Sequence, residues 1–573
     1  MANGDYTAPV ADYAFLLKEV FGTDIVARST EGAMTADDML DAIEAGGEMA
    51  SEVFAPLDRN GDVQGAKLVD GNVQTPDGFK EAYATYVEAG WVSAGSPESA
   101  GGDGLPSSVQ GALSEFWSAA NSAFSLAAGL SAGAINSINT YGSQEIKETY
   151  LPKLVSGEWT GTMNLTEPQA GTDLGAITTI ARDNGDGSYS ISGQKIFITW
   201  GDHDVAENII HLVLARTEGA PEGHRGLSLF VAPKFLLNAD GTPGERNNIV
   251  TVSLEDKLGI HGSPTAQLQY ENATGYLVGE LHQGLQGMFV MMNDSRINIG
   301  IQGLGIADRA YQRAAEYAAF RVQGPVIGRD AGATIGEHPD VRRLLLSMSS
   351  SIHAMRAFSV LVGDMRDRAA EGDNQAIMEF FVPLLKSWAT EESVRIASDA
   401  IQVHGGMGFI EETGAAQHYR DARITPIYEG TTAIQSNDLV GRKILRDNGK
   451  TLQQVLGMVQ EQVTALQGID NPVAQRTAER LGRALGSAVA ASQALAGFAQ
   501  NPRDAFAVSV PLQRLLSLVM GGWMHALIIQ ATLAHETLTE LDEQRLLEAD
   551  FFGAHHLSEV HSLREIVENG EIV

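Results

Sequence analysis

The spacing of apolar residues changes twice along this chain, and the changes bound the folds open to it. Up to about residue 158 apolar residues recur at helical intervals; Tyr13, Leu16, Leu17 and Val20, for example, share one helix face. The same spacing predicts helices over 36–52, 78–91 and 107–137. Between 159 and 281 the interval drops to two. Strands are predicted over 188–192, 194–199, 209–215, 226–231, 249–253 and 266–270, with Asn184-Gly and Asp240-Gly as turns. Few helical stretches separate them, so this block is expected to form an antiparallel barrel or sandwich rather than a parallel sheet. Helical spacing returns over 298–320, 341–368 and 376–403. An Ala- and Leu-rich block then runs to the end, with breaks expected near 468–472, 501–502 and 552–553. The expected class is α+β, mainly α, in four domains: 1–158, 159–281, 282–448 and 449–573.

Composition removes several chemistries. With 573 residues the chain exceeds one compact core. It has no cysteine, which excludes disulfides, thiolate catalysis and cysteine-ligated metal. The formal charge of −33 opposes non-specific binding to DNA or to an acidic membrane. No run of about 18 uninterrupted apolar residues indicates a membrane span. The opening Met1–Tyr6 segment has no basic stretch followed by an apolar one, which argues against a secretory leader and for the cytoplasm.

One short stretch, Ile424-Thr-Pro-Ile-Tyr-Glu-Gly-Thr-Thr-Ala-Ile-Gln435, has the composition of a site. Pro426 interrupts any helix arriving from the left, and Gly430 permits unusual backbone angles. Thr432, with Gln435 three residues on, is expected to cap the next helix. Glu429 then lies on a turn just outside a helix N-terminus, behind Ile424, Ile427 and Tyr428. Partial desolvation there would raise its pKa toward neutrality, as a general base requires. On spacing alone, a carboxylate that merely complements a helix dipole is the favoured reading, because acidic residues before helices are common. Two glycine-rich runs carry no dinucleotide fingerprint. Gly300–Gly305 lies within a helical pattern and Gly405–Gly408 follows one, neither preceded by a strand. His555-His556 are neighbours that do not share a helix face, and are read as packing or surface residues rather than metal ligands.

Tyr428-Glu-Gly-Thr431 followed by Ile434-Gln435 resembles the catalytic signature of the acyl-CoA dehydrogenases. It lies downstream of His404-Gly-Gly-Met-Gly-Phe409 and Tyr419-Arg-Asp-Ala422, and far downstream of Thr166-Glu-Pro-Gln-Ala-Gly-Thr-Asp173, in that family's order. The resemblance covers roughly 60–450. The tail beyond matches a longer branch with an extra C-terminal helical domain, and the opening 6–22 and the segment 436–443 resemble the branch that contains 3-methylmercaptopropionyl-CoA dehydrogenases and broad-range bacterial acyl-CoA dehydrogenases.

The resemblance implies non-covalently bound FAD, with Glu429 as the base that takes the thioester's α-proton. It implies that Thr166 meets the flavin edge, that Thr172 lies near the pyrophosphate, and that Phe197 and Thr199 flank the ring. Phe197 stands where the family commonly has Trp, and so lacks an N–H donor. Arg321 and Gln323 are expected to reach a neighbouring subunit's FAD, although the family's Phe before Gly324 is missing. Gln402, Gly405 and Gly406 are expected at the cofactor's phosphate and adenosine portion, and Thr431 beside the base. Ala433 replaces a common Gln. Arg296, Gly430 and Thr172 are expected at the substrate, and Ser263 and Thr265 along a coenzyme A channel. Met288, Met291 and Met292 would suit a short or thioether acyl chain, core packing being the alternative for each. The implied activity is α,β-dehydrogenation of a short or medium acyl-CoA, with electrons passed to an electron-transferring flavoprotein, in a homodimer. A long-chain dehydrogenase and an oxygen-using oxidase stay open. A DNA-associated homologue does not, because the tail carries Glu461, Glu540, Asp542, Glu543, Glu548 and Asp550.

Overall fold

The computed structural model describes residues 6–22, 34–329, 332–370, 372 and 374–570. Residues 1–5, most of the segment read for a leader, lie outside them. Two compact units emerge. The first comprises Glu48–Leu105 and Ala120–Asn298; the second comprises the described residues of 6–47, 106–119 and 299–573.

The first unit is built on strands β1 (Lys67–Val69), β2 (Asn72–Gln74), β3 (Trp159–Asn164), β4 (Ile180–Asp183), β5 (Tyr189–Thr199), β6 (Asn208–Thr217), β7 (Leu227–Pro233), β8 (Phe235–Leu237), β9 (Pro243–Arg246), β10 (Ile249–Leu254) and β11 (Thr265–Val278). β11 pairs antiparallel with β10, β5 and β7. β5 pairs with β4, and β6 pairs with β4, β7 and β3. Following the pairs from β11 through β5, β4, β6 and β7 returns to β11, so five strands close a ring, with β10 and β3 outside it. The expected antiparallel barrel is therefore mixed, because β6 runs parallel to β3 and β4. Neither parallel pair is joined by a hairpin; the intervening strands supply the crossovers that parallel pairing requires. The two predicted strands over 188–199 are one continuous strand, β5.

Alternation decides what this sheet buries. Val213 and Ala215 of β6 enter a cluster with Ile191, Phe230 and Tyr270. Leu212 and Leu214 point the other way, into a cluster with Ile135, Ile138 and Tyr150 from the flanking helices and Trp159 of β3. β1 and β2 form a hairpin inside a block read as helical. Asp70-Gly71 makes the turn, with φ of 49° and 75°, a two-residue Asp-Gly hairpin turn. The single helix expected over 107–137 is two, Ser107–Ala120 and Ser122–Tyr141. Asn121 between them is extended, and its side chain accepts from the Phe124 N–H at 3.1 Å.

The second unit is helical. Gly284–Phe320 enters it from Ile299 onward, and packs against Gln375–His404 where glycine removes the obstacle. A Cβ at Gly303 would sit 2.8 Å from the Ala389 carbonyl, so the Gly300–Gly305 run serves close helix packing. Buried Arg356 on Pro339–Ala370 meets Glu115 at 2.6 Å, Asp308 at 3.0 Å and Asp12 at 2.7 Å, which ties the Val10–Phe15 helix to the bundle. Pro339–Ala370 and Ser509–Thr532 are long and apolar enough to cross a membrane, and both are mostly buried within this unit. Lys450–Gln467, Pro472–Gly497, Pro502–Ala507, Ser509–Thr532, Glu540–His555 and Glu559–Glu568 follow one another through the tail. The break expected near 552–553 falls a few residues later, at 556–558 between Glu540–His555 and Glu559–Glu568. Gly553 lies inside Glu540–His555, a helix started by the capping box of Thr539 with Asp542.

Candidate active site

In the first unit the 166–173 turn is fastened to the end of β5. The Ile196 N–H donates to the Thr166 carbonyl at 2.9 Å, which puts Thr166 beside Phe197 and Thr199. The fastening is ionic beneath. Lys195, fully buried, donates to Glu167 at 2.9 Å and to the Leu165 carbonyl at 2.9 Å. Glu167 also accepts from the backbone N–H groups of Thr178 at 2.8 Å and Thr179 at 3.0 Å. Burial by itself would raise the Glu167 pKa, but the Lys195 charge and these donors bring it down to about 2. Burial draws Lys195 down to about 8 against the pull of Glu167. Phe197 is held in the left-handed region (φ 58°) and the residue is 59% exposed. An exposed aromatic residue on a strained backbone is the kind of feature that clusters at functional sites. Trp200, also left-handed at 52°, anchors the strand end by donating its indole N–H to the Ala123 carbonyl at 3.2 Å. Thr172 lies exposed on the turn. Arg296 lies half-buried on Gly284–Phe320. Ser263 and Thr265 present almost no surface to solvent, and Met288 and Met291 are fully buried in the core, so packing accounts for both methionines.

In the second unit Glu429 and Gly430 occupy consecutive left-handed positions, φ 54° and 92°. A non-glycine residue there is uncommon, and such strain persists only where the surroundings impose it. Two side chains do so. Gln435 donates to the Glu429 carbonyl at 2.9 Å. Lys386, fully buried on Gln375–His404, donates to the Gly430 carbonyl at 2.7 Å and the Thr425 carbonyl at 3.0 Å. Tyr428 donates its hydroxyl to Gln302, and burial pushes its pKa well up. The cap of Thr432–Asp438 is Thr431, whose hydroxyl accepts from Ile434 N–H at 3.4 Å. The expected cap, Thr432, is instead the first helical residue and donates to Glu391. Gln435 is diverted from the capping box to the Glu429 carbonyl, which the strained turn leaves available.

The remaining expected cofactor residues of this unit form a separate exposed group. Arg321 and Gln323, hydrogen-bonded to each other at 3.2 Å, lie just past the end of Gly284–Phe320. Gln402, Gly405 and Gly406 lie at the end of Gln375–His404. His404 stacks on Tyr317 at 4.5 Å and so brings the two helix ends side by side. His404 itself is buried and hydrogen-bonded to the Ala400 carbonyl at 2.7 Å. Gly405 and Gly406 have open space above their Cα atoms. In this unit the amides and one guanidinium beside bare glycine backbone fit the pyrophosphate of a flavin dinucleotide, which accepts hydrogen bonds.

Comparison with known proteins adds the lineage. The acyl-CoA dehydrogenase N-terminal, middle and C-terminal domain families match 65–158, 162–273 and 282–444, and the acetyl-CoA dehydrogenase C-terminal-like family matches 452–572. The chain is 46% identical to 3-methylmercaptopropionyl-CoA dehydrogenase of Ruegeria pomeroyi, over 97% of this chain and 96% of that one. It belongs to the acyl-CoA dehydrogenase family. The broad-specificity linear acyl-CoA dehydrogenase FadE5 of Mycobacterium tuberculosis is 35% identical, over 98% of this chain and 97% of that one. An acyl-CoA dehydrogenase of Bacillus anthracis, solved with FAD, shares the fold with TM-score 0.76 at 23% identity, over 93% of this chain and 88% of that one.

Sequence reasoning on this acyl-CoA dehydrogenase missed the residues that hold the site. Lys195, Glu167, Trp200 and Lys386 all act on backbone or on a partner far away in sequence, and Gln435, expected only as a capping residue, grips the Glu429 carbonyl instead. One signal was present: Lys195 falls on the inward register of β5 with Ile191, and a lysine there requires a buried partner.

Proposed function

We propose that this acyl-CoA dehydrogenase removes the α-proton of an acyl-CoA thioester with Glu429 and converts the substrate to the trans-2-enoyl-CoA. The observation that carries the assignment is the strain at Glu429: a carboxylate residue kept left-handed by Gln435 and by a buried lysine. Thr166, Phe197 and Thr199 hold the flavin ring, Thr172 and Thr431 hold its neighbouring portion, and Gln402, Gly405 and Gly406 hold the phosphate and adenosine end. FAD, when bound, accepts the β-hydride. Arg296, Gly430 and Thr172 line the thioester, and the Glu429 N–H supports the oxygen on which negative charge develops as the proton leaves.

The substrate is a short or medium acyl-CoA, 3-methylmercaptopropionyl-CoA among those accepted; the 46% identity to the Ruegeria enzyme supports this. Steady-state rates with butyryl-, octanoyl-, palmitoyl- and 3-methylmercaptopropionyl-CoA test it, and a maximum at palmitoyl-CoA refutes it. Electrons leave to an electron-transferring flavoprotein; turnover that consumes oxygen at the same rate would assign an oxidase instead. The enzyme works in the cytoplasm as a homodimer in which Arg321 and Gln323 serve the partner's cofactor, and the chain divides into domains at 158, 281 and 448. Glu429→Gln is the decisive variant. The amide cannot accept the proton, so FAD and acyl-CoA binding survive while turnover falls by about 3–5 kcal/mol of transition-state stabilisation. A variant with near wild-type rate places the base elsewhere.

A further inference from the structure

The helices after Lys450 supply no residue to the reaction as proposed, yet one of them reaches the supports of the base turn. Gln513, 2% exposed, sits near the start of Ser509–Thr532. Its Nε2 donates to the Pro383 carbonyl at 2.9 Å, and its Oε1 accepts from the Ser436 hydroxyl. Ser436 also lies 2.7 Å from the Thr432 carbonyl, so its single proton is shared. One turn before Gln513, the Ser509 hydroxyl donates to Asn437 at 2.8 Å. The first turns of this C-terminal helix thus clasp Thr432–Asp438.

The two partners of Gln513 lie on different elements. Pro383 precedes Lys386 by one turn of Gln375–His404, and Lys386 grips the Gly430 carbonyl. Ser436 follows Gln435, which grips the Glu429 carbonyl. A single amide therefore spans the elements that supply both grips on the strained dipeptide. An amide suits the position, since one end donates to a carbonyl while the other accepts from a hydroxyl. We infer that Gln513 is a positioning residue through which the C-terminal domain sets the aim of Glu429. The inference rests on Glu429 being the base. Altered spacing between the two elements would rotate the 429–430 peptide, and small displacements of a catalytic group cost rate far more than binding.

The test uses the full-length FAD-loaded enzyme, butyryl-CoA and its α-deuterated form, with an electron-accepting dye. Gln513→Met removes both bonds, and Ser436→Ala removes the link from the other side. Each is expected to lower kcat by about tenfold and to raise the α-deuterium isotope effect, while FAD content and KM stay within about twofold. The double variant should be no slower than the slower single one. Wild-type kcat and isotope effect in both singles overturn the inference. So does a kcat loss that merely follows FAD content with an unchanged isotope effect, which marks a structural role only. Where Gln513→Met fails to fold, Ser436→Ala decides by the same criteria. Glu429→Gln is measured alongside. If it turns over, the base assignment fails; if it does not and the Gln513 and Ser436 variants behave as wild type, only the positioning role falls.

Discussion

Lys195 and Lys386 are both fully buried, and neither touches the reacting groups as proposed; each holds the peptide that carries a residue which does. Lys195 neutralises Glu167 beneath the Thr166 turn. Lys195→Met should leave a buried, unpaired carboxylate and destabilise the protein by about 3–5 kcal/mol. Denaturant unfolding followed by tryptophan fluorescence measures it; Trp159 and Trp200 belong to the same unit. A loss below about 1 kcal/mol would mean that the Thr178 and Thr179 donors satisfy Glu167 unaided. At this scale the expected site residues could be read because their neighbours form contiguous words, Thr166–Asp173 and Tyr428–Thr431. Their supports could not. A lysine that grips a carbonyl 44 positions along the chain, as Lys386 grips Gly430, has no local mark.

Elements were legible in proportion to their length. Pro339–Ala370 and Gln375–His404 follow their apolar spacing almost to the residue, because many turns average out single exceptions. The three-residue strands β1 and β2 are too short to show alternation, and only their Asp-Gly turn announces them. The division at Asn121 depends on one capping side chain inside an otherwise continuous small-residue pattern. Contacts between elements also set a pH dependence. His353 on Pro339–Ala370 meets Asp12 of Val10–Phe15 at 3.3 Å and Glu548 of Glu540–His555. Burial would lower its pKa from 6.5, but Glu548 and Asp12 outweigh burial and raise it to about 10. Its folded value exceeds its unfolded one, so the stabilisation is complete below pH 6.5 and drains away as pH rises through about 10. Urea midpoints taken from pH 6 to 10 should fall across that range, and His353→Gln should be less stable at pH 6 and flatter with pH. A variant whose profile runs parallel to wild type would assign the dependence to other groups.

For the whole molecule, the sequence anticipates the succession of helical, strand and helical blocks, but not the ring closure. β7 pairs with β6 and, 45 or more residues later, with β11, and no local pattern encodes such a distant pairing. Assembly belongs to this scale too. Phe320, Val322, Met407 and Phe409 are exposed around Arg321 and the Gly405–Gly406 backbone, with Phe409 at 85%. That is the character of a surface that a second copy covers. Sedimentation of the FAD-loaded protein should give a dimer, and Phe409→Asp should shift it to monomer with loss of FAD. A monomer that retains all its FAD would refute the shared site.

Ring closure protects five strands and leaves β10 at the margin, hydrogen-bonded within the sheet only to β11. Val250 and Val252 of β10 stand roughly half exposed. A marginal strand with half-exposed valines favours association with its own kind. Association beyond a dimer is opposed by the long-range repulsion of a chain with net charge −33. That repulsion reaches about 8 Å at physiological ionic strength and about 3 Å in molar salt. Concentrated stocks are therefore expected to keep longest at low ionic strength, and light scattering across a salt series should rise as the repulsion is screened.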